Sequence, residues 1–93
     1  MNLEISLSTK FRRDYKRVKS RGYDLDLLDQ IVTMLAEQKP LPQVNHDHPL
    51  TGNWLGYREC HIQSDWLLIY RVREEELELL LMRTGTHSDL FRE

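Results

Sequence analysis

The chain has 93 residues, 40% hydrophobic and 30% charged, which allows one hydrophobic core but not two and is too apolar for a disordered polyelectrolyte. Its formal net charge of −2 hides an asymmetry: residues 1–23 hold seven Lys or Arg against Glu4 and Asp14, and the remainder holds six basic against thirteen acidic side chains. No apolar run reaches the roughly 18 residues of a membrane span, the start lacks the basic-then-apolar order of a secretory signal, and the single Cys60 can form no internal disulfide, so a cytoplasmic single-domain protein with no membrane contact is expected.

Leu3, Ile5 and Leu7 alternate with Glu4 and Ser6, the period-two pattern of a short strand with one buried face. Ser8 or Thr9 offers a helix cap, and Phe11, Tyr15 and Val18 form a narrow apolar stripe at helical spacing, with the Lys and Arg residues on the other faces. Gly22 stops that helix. Asp24 opens a second helix whose Leu25, Leu28, Ile31, Val32 and Leu35 recur at helical spacing, and Pro40 and Pro42 prevent it from continuing. After an irregular stretch through His46, Asp47, His48 and Pro49, three β-rich runs follow: Trp54–Ile62, Trp66–Val72 and Leu77–Met82. The joints QSD and REEE are too short for a parallel crossover, so the runs form an antiparallel meander, with the first strand pairing at an edge. Gly85 ends the last strand and leaves THSDLFRE as a turn or single helical turn. The expected order is β-α-α-β-β-β, an α+β fold with two N-terminal helices on one face of the sheet.

All four histidines, at 46, 48, 61 and 87, fall outside the two helices. The first and third strands of a meander run in the same direction, so His61 at the end of one, His87 beyond the other and Asp65 in the intervening joint meet at one edge, with His48 arriving from the preceding loop. An imidazole titrates near neutrality, at about pH 6.5. Two such groups and a carboxylate can cleave RNA without a metal: one removes the ribose 2′-hydroxyl proton and another protonates the departing 5′-oxygen. Arg83 is the candidate clamp for the charge that gathers on phosphorus, and Trp66 and Phe91 are candidate platforms for a splayed base. Each also has a plain structural role: Arg83 as an ion pair, Trp66 in the core, Phe91 as an anchor, and the basic helix as a solvated face. His46 and His48 form an HxH pair to which His61 could add a third metal ligand, but no further ligand pair supports it, and no cofactor is expected.

The segment DHPLTGNWLGYRECHIQSDWLLIYRV, followed by RTGTHSDLF, resembles the signature of the YafQ branch of the RelE/ParE toxin superfamily, the ribosome-dependent mRNA interferases of type II toxin–antitoxin systems. The resemblance runs over nearly the whole chain and implies a RelE-like fold. It places the catalytic set on His48, His61, Asp65, Arg83 and His87 and the substrate contacts on Trp66 and Phe91, with His87 as the acid, His48 or Asp65 as the base and His61 orienting the phosphate. It leaves His46 outside the motif, facing solvent. It further implies cleavage of mRNA in the ribosomal A site, a basic first helix meeting RNA through residues such as Lys10, Arg13 and Arg17, and a DinJ/RelB-like antitoxin that neutralises the toxin and supplies the only link to DNA. The rival on the same fold is a noncatalytic ParE-type toxin that binds DNA gyrase, which has no need of clustered histidines.

Overall fold

The computed structural model describes residues 2–91. Its elements are β1 (Glu4–Leu7), α1 (Thr9–Ser20), α2 (Leu25–Ala36), β2 (His48–Pro49), β3 (Arg58–Gln63), β4 (Trp66–Arg73), β5 (Glu78–Gly85) and α3 (His87–Phe91). The expected β-α-α-β-β-β order is present, with the short β2 and α3 added to it. The strands form one sheet in the order β1-β5-β4-β3-β2, with β1 parallel to β5 and every other pair antiparallel.

Local chemistry sets the helix limits. The Ser8 hydroxyl oxygen accepts the Phe11 amide at 2.9 Å and its proton goes to the Met82 carbonyl at 2.7 Å, so one side chain both caps α1 and ties its start to β5. Asp24 caps α2 through the Asp26 amide at 3.1 Å. Gly22, at φ +80, makes the left-handed turn between the helices at no steric cost.

Three expectations are corrected. The first long strand begins at Arg58 rather than Trp54, because Gly52–Trp54 form a short 3-10 turn and Gly56 turns the chain at φ +95. Leu3 is buried just before β1, but Ile5 and Leu7 within it are 49% and 38% exposed, since β1 is an edge strand and the helices leave an open groove of about 660 Å³ beside it. On α1, Phe11 and Val18 are buried as expected, but Tyr15 is exposed and the charged Asp14 lies inside.

The two faces of the sheet are covered unequally. Against α1 and α2 pack Cys60, Ile62, Trp66, Leu68, Tyr70, Leu79 and Leu81. The opposite face holds Leu67, Ile69 and Leu90, rimmed by half-buried Leu50, Trp54, Tyr57, Met82 and Phe91. The histidines gather beside this smaller cluster.

Candidate active site

Strand alternation on β3 sends Cys60 and Ile62 into the helix-side core and leaves Glu59 and His61 for the other face. Glu59 is only 5% exposed, and its Oε1 lies 3.4 Å from His48 Nε2 and 3.9 Å from His61 Nε2. His48 reaches it because β2 pairs with β3 in a register that sets His48 opposite Glu59. Since a backbone carbonyl can only accept, His48 Nδ1 carries the hydrogen it shares with the His46 carbonyl at 2.7 Å, which leaves Nε2 for the carboxylate.

The loop that delivers His48 is itself held. Asp47 Oδ1 accepts from the Tyr70 hydroxyl at 2.6 Å and from Arg58 Nε at 3.3 Å, and burial followed by the Asp47 carboxylate pushes the Tyr70 phenol up, so the phenol stays a donor. Asn45 Nδ2 donates to the His61 carbonyl at 2.7 Å, fastening the same loop to the end of β3.

From the other side comes α3. The His87 amide donates to Asp65 Oδ1 at 3.0 Å and His87 Nδ1 to the same oxygen at 2.7 Å, which fixes the ring and leaves Nε2 outward. The His87 backbone amide first, and its ring second, hold the Asp65 carboxyl below the usual carboxylate range. The His87 ring lies 5.9 Å from that of His61 and 6.3 Å from Phe91, and Phe91 continues to Trp54 at 6.4 Å and Tyr57 beyond it at 5.5 Å from Trp54. One ligand atom from each of Glu59, His61 and His87 lies within 4.8 Å of the others.

The structure thus brings together His48, His61, Asp65, His87 and Phe91. His46 is exposed, as the sequence implies, with its ring 5.3 Å from His61. Trp66 is corrected: it is 2% exposed, stacks edge-on against Tyr23 at 4.9 Å and donates its indole hydrogen to Thr84 Oγ1 at 2.9 Å, so it offers no face to a base. Arg83 turns toward α1, where its Nε and Nη2 donate to the buried Asp14 at 2.6 and 3.1 Å, and with Lys10, Arg13 and Arg17 it lines a polar hollow of about 220 Å³. Sequence reasoning missed Glu59 and Trp54. Glu59 was findable, because it stands two residues before His61 on the same strand face. Trp54 carries no such signal, because its apolar neighbours suit a strand, and only the 3-10 turn at Gly52–Trp54 presents it beside Phe91.

Residues 3–92 match the family described as the bacterial toxin of type II toxin–antitoxin system, YafQ. The chain is 40% identical over 89 residues to the mRNA interferase toxin YafQ of Escherichia coli K12, covering 95% of each. Among solved structures it is similar to a metal-bound toxin from Helicobacter pylori, with 44% identity, TM-score 0.91 and coverage of 96% of this chain and 99% of that one. It is similar also to the toxin–antitoxin complex DinJ-YafQ of E. coli, with 39% identity, TM-score 0.88 and coverage of 98% and 99%.

Proposed function

The chain belongs to the YafQ family of bacterial toxins of type II toxin–antitoxin systems, and from that premise we propose that it is a ribosome-dependent endoribonuclease that cuts translated mRNA by general acid–base catalysis. The observation that carries the reading is the row of groups His48, Glu59, His61, His87 and Asp65 on one face, with Glu59 between two imidazoles and Asp65 behind the third. His87, held through Nδ1 by Asp65, gives its Nε2 proton to the 5′-oxygen as the phosphorus–oxygen bond breaks. The 2′-hydroxyl proton passes to the carboxylate–imidazole cluster of Glu59, His48 and His61, while the 2′-oxygen bonds to phosphorus and leaves a cyclic phosphate.

Phe91 and Trp54 supply the stacking surface in place of Trp66, and Lys10, Arg13, Arg17 and Arg83 supply phosphate contacts along α1. The site is shallow, with side chains of His87 56% and Asp65 62% exposed, so it grips substrate poorly by itself. The A site provides what is missing by holding the codon bent and in line, and free RNA is cut slowly. By analogy with the complex DinJ-YafQ of E. coli, an antitoxin of the DinJ type is the resting partner, and contact with DNA runs through it.

Two imidazoles and a carboxylate are also a donor set that suits a transition metal, and a similar toxin from H. pylori is metal-bound. A metal held by Glu59, His61 and His87 would occupy nitrogens that the acid–base reaction uses, so it acts here as an inhibitor.

The test is single-turnover cleavage of mRNA on programmed ribosomes by the parent and by His87→Ala, each with and without EDTA. Loss of about 10²–10⁴-fold in the variant, with parental activity undiminished by EDTA, is expected. Equal cleavage by both proteins would overturn the assignment, growth arrest with blocked supercoiling and no mRNA cuts would transfer the chain to the gyrase-binding class, and activity lost to EDTA and restored by zinc would overturn the metal-free chemistry.

A further inference from the structure

We propose that Asp89 is a positioning residue for the proposed acid His87, held by Arg17 of α1 and by Arg21 just past its end so that the short helix bearing His87 stays docked over the site.

α3 spans only His87–Phe91, and Leu90 is its one buried side chain, so apolar packing by itself holds it weakly. Asp89 adds ties in two directions. Inward, its Oδ2 accepts the Thr86 amide at 2.9 Å while its own amide donates to Thr86 Oγ1 at 3.1 Å, a reciprocal capping box across the first turn. Outward, Arg21 Nη1 and Nη2 donate to Asp89 Oδ2 and Oδ1 at 2.7 and 3.1 Å, and Arg17 Nη1 lies 3.5 Å from Oδ1. The carboxylate is 13% exposed, and the Arg21 guanidinium, ahead of the Thr86 bonds, holds its pKa far below the usual carboxylate range.

Gly85 shows how tightly the carboxylate is folded back. A Cβ there would sit 2.8 Å from Asp89 Oδ2 and 2.9 Å from Asp89 Cβ, so the close approach of Asp89 requires glycine at 85. The latch therefore runs from the last turn of α1, through Asp89, to the backbone turn that aims His87 at Asp65. Arg21 and Asp89 are 68 residues apart, so this contact is made by the assembled fold and not by local chain geometry. Asp89 touches no imidazole; it acts through the helix.

The inference rests on the nuclease reading for its catalytic readout, and a second readout does not. Asp89→Ala, Arg21→Ala, Arg21→Lys and the double alanine variant are compared with the parent for amide hydrogen exchange at Leu90, whose N–H bonds to the Thr86 carbonyl, and for the NMR cross-peak between the His61 and His87 rings. The same proteins are assayed for kcat and KM on programmed ribosomes, with far-UV circular dichroism confirming that each is folded. Asp89→Ala is expected to speed Leu90 exchange at least about tenfold, erase the ring cross-peak and lower kcat about tenfold. KM should rise as well, because undocking α3 also displaces Phe91 from the stacking surface. Arg21→Lys keeps the charge and should recover most of kcat, and the double variant should fall no further than either single one. Parental Leu90 exchange in Asp89→Ala, or faster exchange with parental kcat, would overturn the latch. A parent that cuts nothing would sink the nuclease reading alone, and exchange and the cross-peak would still decide whether Asp89 docks α3.

Discussion

The two faces of the sheet divide the work of the molecule. On the helix side, β4 and β5 present Trp66, Leu68, Tyr70, Leu79 and Leu81 to α1 and α2, and the polar groups admitted there are fully engaged: Thr84 takes the Trp66 indole and gives its own proton to the Leu67 carbonyl, and Asp14 takes Arg83 and the Thr84 amide. On the other side, three buried apolar residues support a rim of half-buried aromatic and aliphatic side chains, and the imidazoles stand beside it. Stability is concentrated where the surface is closed, and titratable groups stand where it is open. A buried charge must be paired to be tolerated, whereas an exposed imidazole keeps access to both solvent and substrate.

The contrast can be broken from either side. Leu68→Ala, in the helix-side core and fully buried, is expected to cost about 2–5 kcal/mol of unfolding free energy in urea denaturation, while the molecules that remain folded cut at the parental rate. A parallel loss of activity per folded molecule would show that the faces are not independent. Trp54→Ala on the open face should reverse the pattern, weakening substrate binding by about 1–3 kcal/mol, roughly 5- to 150-fold in KM, with a smaller stability loss than Leu68→Ala. An unchanged KM would remove Trp54 from the stacking surface.

The smallest effect sharpens the comparison through pH. Asp65 and Asp89 both have carboxyl groups held below the ordinary value of about 3.9, by His87 and by Arg21 respectively. A depressed folded-state value contributes docking of α3 that is complete above the ordinary value and lost as pH falls through the folded one. The His61–His87 ring cross-peak should therefore be unchanged between about pH 5 and 8 as far as these carboxylates govern it, and should fade below about pH 4. Fading already at pH 6 would point to the imidazoles instead.

The architecture was legible wherever it depended on local periodicity. The spacing of Leu25, Leu28, Ile31, Val32 and Leu35 marks α2, the hydroxyl of Ser8 marks the start of α1, and the short joints mark the meander. The meeting of His61, Asp65 and His87 followed from the same topology, without knowledge of side-chain geometry. What escaped depends on partners far away in the chain. Asp14 reads as one more charge on a basic helix, and only Arg83, 69 residues later, makes its burial affordable. Trp66 reads as a platform, and only Thr84 and Tyr23 show that it is core.

One further consequence lies in the pairing of β1 with β5. Among the described residues the first strand pairs with β5 alone, and the Ser8 cap of α1 closes on Met82 across 74 positions. During synthesis the early segments must wait, unpaired, until that later strand has left the exit tunnel. A nascent copy therefore keeps β1 unpaired and the start of α1 untied from the sheet until nearly all of the described chain has emerged.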